Sequence, residues 1–369
     1  AFPHYISSIG KDLKKNLLIS SHGRELGGPS SIFKVVDDDV ASAQIPPTLS
    51  ATGLFADLTN VIPAHGVIEY NLNTGGWFDG GKMRHFVAVP NASKVTFDPT
   101  AIWNLPVGSV VVKHLAVATS ANANKPFTTS VLFRQETGWQ AANYRWNAAG
   151  TDANLVTESS VEPDGGLVSV VRKVETGSTC AGCHKDADGK LIPLATDTRE
   201  LNGNFNYQGV TKNQLEVFNA INLFTAGINN GSSYEKFAAP TDTSVDLTAR
   251  AKSYLHTNCA HCHSGISGGM DMRYSTALEA MKLVNDHNRV VPGIPANSNV
   301  YKYQTGAGMR MPYGSVATNT DAETLFRNWI NELGVDVSQT GIDITATKLS
   351  PEVNEVVGLN VESVYSNGT

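Results

Sequence analysis

Cysteine is scarce in this chain, at four in 369 residues. That excludes a disulfide-dense scaffold, which needs many bridges because its core is too small. Charge is sparse as well: 17% of residues are Asp, Glu, Lys or Arg, and the formal net charge is −6. No basic run is present of the kind that follows a phosphate backbone, so nucleic acid is not an expected partner. No apolar stretch approaches the roughly 18 residues of a membrane span, so no span is expected. Hydrophobic residues make up 41%, enough for a sizeable core and for two or three domains.

What the chain does have is concentrated. All four cysteines fall in two strings, Cys180-Ala-Gly-Cys183-His184 and Cys259-Ala-His-Cys262-His263. Each is C-x-x-C-H, the attachment motif of c-type haem. The two thiols form thioethers to the porphyrin edge, and the adjoining histidine reaches the iron. Cys180, Cys183, Cys259 and Cys262 are therefore the expected attachment residues, with His184 and His263 as iron ligands. Zinc is the chemical rival. A four-thiolate zinc site would need both pairs to converge on one ion, and it leaves the two histidines without a role. A redox dithiol needs one pair on a thioredoxin-like βαβ pattern, which this sequence lacks. The expected cofactors are two covalently bound haem c groups. Bacteria ligate thiols to haem c outside the cytoplasm, and the sequence starts at Ala1 as a chain does after signal-peptide removal. The expected location is therefore periplasmic or extracellular.

The fold class expected is α+β with several domains. Residues 1–50 read as an N-terminal extension, punctuated by Gly27-Gly28-Pro29-Ser30-Ser31 and Pro46-Pro47. Residues 51–175 read as a β domain. Its expected strands are Val67–Asn71, Arg84–Val89, Ser109–Thr119, Ser130–Gln135, Ala142–Trp146 and Leu167–Val174. Short strands at this spacing suggest an antiparallel sandwich or barrel. Residues 176–243 read as a first haem segment packed on that domain. Thr211-x-x-Gln214 looks like a capping box opening a helix with Leu215, Phe218 and Ile221. Residues 244–334 read as a second, mostly helical haem domain. One of its helices runs through Leu247, Ala251, Tyr254 and Leu255 into Cys259. Another starts with Thr320-x-x-Glu323 and stops at Gly334. Residues 335–369 form a C-terminal extension with strand-like alternation in 342–346 and 356–364. That tail could pack on its own chain, or it could pair with the N-terminal β domain or a neighbouring molecule.

Residues 244–334 resemble a class I cytochrome c domain: a helix into C-x-x-C-H, a glycine-rich loop at Gly265–Gly269, and a terminal helix. Between loop and terminal helix lies Gly308-Met309-Arg310-Met311-Pro312. The resemblance implies that Met311 is the distal sulfur ligand, with Met309 as the alternative. A neutral, soft thioether favours ferrous iron and raises the potential relative to a second imidazole. The first motif has no such segment after it, so its sixth ligand must come from elsewhere. On the Ser109–Thr119 strand, Val110, Val112, His114 and Ala116 share one face. An imidazole on an apolar face needs a partner, and iron would be one. His114 is the first choice for that ligand, followed by His85 and Met83. The alternative is a hydrogen-bonded core histidine.

The chain from about 49 to 334 also resembles a family of exported bacterial dihaem c proteins without a firmly assigned reaction. The likeness rests on Leu49-Ser-Ala-Thr-Gly-Leu-Phe55, Pro106-Val-Gly-Ser-Val-Val-Val-Lys-His114, Tyr144-Arg-Trp-Asn147 and Thr198-Arg-Glu-Leu-Asn202. It also rests on Asp242-Thr-Ser-Val-Asp-Leu247 and Ser253-Tyr-Leu-His-Thr-Asn-Cys-Ala-His-Cys-His263. The family's Met-Pro-Pro stands here as Met311-Pro312-Tyr313, and both termini extend beyond it. The resemblance implies an N-terminal β region followed by two haem motifs. Electron transfer to and from redox protein partners is the leading expected function. A dihaem peroxidase or oxygenase with an open site at the first haem is the alternative. A homo-oligomer or filament built through the terminal extensions is a third expectation.

Overall fold

A computed structural model describes residues 5–11, 17–22, 31–34, 44–90, 93–120, 123–166, 171–182, 184–186, 188–265, 269–306, 310–312, 315, 317–334, 339–346 and 359–365. The chain separates into two compact units, 1–46 and 47–369. The first is a three-stranded antiparallel sheet of β1 (Tyr5–Lys11), β2 (Leu17–His22) and β3 (Ser31–Lys34), in that order. Ile9 pairs with Ile19, and Leu18 with Lys34. Sequence reading left this region without assigned elements.

In the second unit, a short ribbon of β4 (Phe55–Asp57) and β5 (Ile62–Pro63) precedes the main sheet. That sheet contains β6 (Val67–Tyr70), β7 (Lys82–Ala88), β8 (Val110–Ser120), β9 (Ala123–Gln135), β10 (Gly138–Trp146) and β11 (Ala153–Leu155). Every neighbour pair is antiparallel, and the order is the chain order. No pair joins β6 to β11, so the sheet is open. The expected sandwich or barrel is corrected to a single meander.

The two faces of this meander are covered differently. Val87, Val111, Leu132 and Ala141 lie in register across four strands. They pack with Leu201, Leu215, Phe218 and Phe224 from the helical segment that follows. The opposite face carries Phe86, Val112, His114, Val131, Thr129, Tyr144 and Trp146. Phe55 meets Phe86 edge-on at 5.2 Å, and Leu49 donates its N–H to Ala153 O at 2.8 Å. Burying a large apolar side chain contributes about 1.5–3 kcal/mol, so each face fixes the strand register strongly.

A ribbon of β12 (Ser160–Pro163) and β13 (Val171–Val174) leads to the first cysteine motif. Beyond it come α1 (Thr198–Leu201), β14 (Asn204–Tyr207), β15 (Val210–Asn213) and α2 (Gln214–Ala220). Thr211 is not the cap of α2, because Val210–Asn213 pairs with Asn204–Tyr207. Asn213 caps instead, its side chain accepting from Glu216 N. Ile221 falls outside the helix and is exposed.

The remaining helices are α3 (Leu247–Asn258), α4 (Asn299–Thr305) and α5 (Thr320–Gly334). Asp246 caps α3 by accepting from Ala249 N at 2.8 Å, and Asn319 accepts from Ala322 N at the start of α5. These two helices pack together, with Tyr254 and Phe326 in a T-shaped contact at 5.5 Å. Trp329, fully buried, donates to Thr248 Oγ1 at 3.1 Å. The haem region was expected to be mostly helical, and it is not. Its helices are short and joined by 3₁₀ turns and irregular backbone. The chain as described is α+β with a dominant antiparallel sheet. The C-terminal extension forms its own hairpin, β16 (Gln339–Ala346) paired with β17 (Leu359–Tyr365).

Candidate functional site

The two cysteine motifs adopt one local design. In the first, a 3₁₀ segment spans Gly177–Gly182, and His184 N donates to Cys180 O at 2.8 Å. Ile192 N returns to His184 O at 3.0 Å, beside an antiparallel bridge from Lys185 to Leu191. In the second, α3 ends at Asn258, and His263 N donates to Cys259 O at 2.9 Å. Met272 N returns to His263 O at 2.7 Å, beside an antiparallel bridge from Ser264 to Asp271. Each histidine therefore sits one helical turn after its first cysteine, on the same side of that turn. Among the described residues, Cys180, Cys259 and Cys262 form no disulfide; Cys183 lies outside the described residues. Burial pushes the Cys259 thiol up to about 12.

The first turn is anchored to β10 and the second to the loop between β6 and β7. Asn143 on β10 donates to Glu175 O at 2.8 Å, just before the first motif. Gly177 lies against β10 so closely that a Cβ there would stand 1.9 Å from Ala141 O. Asn258, next to Cys259, accepts from Trp77 N at 2.7 Å and donates to Gly75 O at 3.3 Å.

The motifs also share an electrostatic neighbourhood. Lys113 pairs with His85 across β8 and β7, on the face that carries Val111. Burial, then Lys113 and His261, push His184 down to about 3, against a backbone hydrogen bond at Ile192 that favours its charged form. Burial, Lys113 and His263 lower His261 in turn. The central residue of the second motif thus lies near the histidine of the first, with Lys113 close to both. His184 Nδ1 is buried without a hydrogen bond. Burial, then Arg289, lowers His263.

The expected sixth ligands are placed as follows. His114 is buried on the opposite face of β8, with Nδ1 3.0 Å from Thr129 Oγ1 and the ring edge-on to Trp146 at 5.4 Å. The sheet stands between His114 and the first motif, so the two are not brought together and the His114 assignment is corrected. The sequence placed it properly on the Val110–Ala116 face; it could not say which face the cysteine turn would meet. His85 lies on the Lys113 face. It is buried, with Nδ1 lacking a hydrogen bond and the ring 5.7 Å from Tyr70. Met83 packs with Leu115, Val117 and Val174 in a satellite core. Met311 is half-buried, and its N–H donates to Tyr303 O at 3.1 Å. Its neighbour Arg310 donates to Gln304 O at 3.2 Å and Thr318 Oγ1 at 3.1 Å. Met309 lies outside the described residues.

Four supporting residues were not found from sequence. Arg172 is buried between Asp79 and Asp164, at 2.7 Å from each. Asp79 also accepts from Ala317 N at 2.7 Å, tying the segment after Met311 to the loop between β6 and β7. Glu200 is buried on α1, accepting from Thr74 N at 3.1 Å and from the Thr257 hydroxyl near Cys259. No spacing rule brings Arg172 to two aspartates from separate loops.

Glu200 gives a pH prediction. Burial raises its pKa from 4.5 to about 7, against the hydrogen bonds from Thr257 and Thr74. The folded state therefore holds this proton more tightly than the unfolded chain. Its contribution is complete below pH 4.5 and is lost as pH rises through about 7. The loss is about 3 kcal/mol at most. In Glu200→Gln, denaturant midpoints should no longer fall between those values, and the variant should be the more stable protein at pH 8. An unchanged slope would assign the pH dependence to another group.

Among the described residues, no three His, Cys, Asp or Glu side chains converge as a bare metal ion would require. No helix among them is long and apolar enough to cross a membrane. Comparison with protein-family models, with curated proteins and with solved structures found no match for this chain.

Proposed function

We propose that this chain is an electron carrier outside the cytoplasm, holding two haem c groups at its two cysteine turns. The observation that carries the reading is the repetition. Two C-x-x-C-H turns make the same cysteine-to-histidine and histidine-return bonds, the first fastened to β10 and the second to the loop between β6 and β7. The donor set fits the group. A porphyrin carries its own nitrogen donors, so the protein would need to supply only a histidine and two thiols per turn, not a three-residue cluster around a bare ion. The lowered pKa of His184 keeps it neutral at pH 7, the form that binds iron.

Cys180, Cys183 and His184 would hold the first group, and Cys259, Cys262 and His263 the second. Met311 is the proposed sixth ligand of the second. His85 is the proposed sixth ligand of the first, since it is buried without an Nδ1 partner on the Lys113 face. Bound iron would supply a reversible one-electron change. The chain's own residues would orient the two histidines, shield His184 Nδ1 and set the local charge through Lys113. The net charge of −6 would steer association toward basic redox partners and weaken it with salt.

The test is mass analysis and spectroscopy of natively exported protein. Two covalent tetrapyrroles per chain are expected, both low-spin in the ferric state. His85→Ala should convert one of them to a high-spin signal. Protein without tetrapyrrole, or with bound zinc, overturns the reading; an unchanged spectrum in His85→Ala overturns that ligand.

A further inference from the structure

The face of the sheet turned away from the cysteine motifs holds a cavity of about 500 Å³ that the electron-carrier reading does not use. Its size falls in the range of small-molecule sites. Lys82, Arg84 and His114 line it, together with Val61, Ala116 and Pro126, and no Asp or Glu does. Lys82 is exposed and, among the described residues, is in no ion pair. Glu69 takes Nε and Nη2 of Arg84, each at 2.6 Å. Nη1 is left near Asn60 O at 3.4 Å.

His114 gives the cavity its chemistry. Thr129 Oγ1 already accepts from Trp146 Nε1 at 2.9 Å. The buried hydroxyl has one proton to donate, and among the described residues the one acceptor in reach is His114 Nδ1, 3.0 Å away, since Trp146 Nε1 can only donate. This network assigns the ring proton to Nε2, and burial followed by Arg84 keeps the imidazole neutral by lowering its pKa to about 4. A buried histidine in the cavity wall then donates and does not accept. Lys82 and Arg84 add positive charge on the same side, while Val61, Ala116 and Pro126 supply apolar contact.

We propose that this cavity binds a small organic carboxylate, its oxygens accepting from His114 Nε2 and facing Lys82, with a short apolar body against Val61, Ala116 and Pro126. The site is built entirely by the β domain. It stands whether or not the cysteine turns carry haem.

The probe is butyrate, with uncharged butyramide as comparator, added to the full-length protein labelled with ¹⁵N-histidine. Millimolar butyrate should shift the His114 Nε2 resonance saturably, and butyramide should not. Lys82→Ala changes an exposed side chain and leaves the strand intact; it should weaken butyrate binding by at least about threefold. His114→Leu should weaken it by about tenfold or more. Absence of a butyrate shift, equal binding of butyramide, or unchanged affinity in Lys82→Ala would each overturn the proposal.

Discussion

On the proposed reading, Gly177→Ala is expected to lose the first haem attachment and keep the second. The reason is steric. A Cβ at this position would stand 1.9 Å from Ala141 O, 2.5 Å from Ala141 C and 2.9 Å from Ala142 Cα. All three are backbone atoms, so no side chain can rotate away. β10 cannot retreat either, because Ala141 and Ala142 are paired with Leu132 and Val131 in the ladder to β9. The 3₁₀ turn must therefore lift from the sheet, carrying Cys180 and His184 out of register with Lys113 and His85. Overpacking of this kind costs about 1–3 kcal/mol or more. Gly182, in the same turn, has nothing within 4 Å of its Cβ position, so Gly182→Ala is the matched control. Intact mass should fall by one tetrapyrrole in Gly177→Ala only, with a lower melting temperature. Equal behaviour of the two variants would show that docking of the turn on β10 does not matter.

That dependence on a single close approach explains what the sequence could show and what it could not. Alternation identified β10, where Ala142, Tyr144 and Trp146 are buried and the residues between them are not, whereas β7 and β8 were legible as β-branched and aromatic runs bounded by turn formers. The run from Leu247 to Cys259 was legible as a helix because Ala251, Tyr254 and Leu255 face the same core as Phe326 and Ile330. The first cysteine turn was different. Its position depends on Asn143 reaching Glu175 O, 32 residues away, and on Gly177 fitting against Ala141. Neither contact leaves a periodic trace. For the same reason His114 and His85 could not be ranked in advance. They sit on adjacent strands, one register step apart, and that step reverses the face. The cap of α2 was misplaced because a strand ribbon ending at Asn213 overrode a local Thr-x-x-Gln signal.

Replacing Arg172 by Leu is expected to be the most destabilising single change among the supporting residues, at about 3–5 kcal/mol. The guanidinium donates from Nε to Asp164 and from Nη1 to Asp79, each at 2.7 Å, and all three side chains are at most 3% exposed. It also lies 4.3 Å from the centre of the Phe78 ring. Leu would fill the volume and leave two carboxylates buried without a counter-charge. Most of the cost comes from those orphaned charges, so it should be recoverable. A triple variant, Arg172→Leu with Asp79→Asn and Asp164→Asn, removes the charges. It keeps an oxygen acceptor for Ala317 N and Gly166 N, the bonds now made at 2.7 Å and 2.9 Å. Denaturant midpoints should drop sharply in the single variant and recover most of the loss in the triple. The Ala317 bond adds a local consequence. Asp79 holds the segment that carries Met311, whose other anchors are its own N–H to Tyr303 O and the Arg310 bonds to Gln304 and Thr318. In the single variant, any sulfur-to-iron absorption from Met311 should fade at lower denaturant than the helical signal of α3 and α5. A midpoint equal to that of the parent protein would mean the buried triad contributes nothing. Simultaneous loss of both signals would mean Asp79 does not position the Met311 segment.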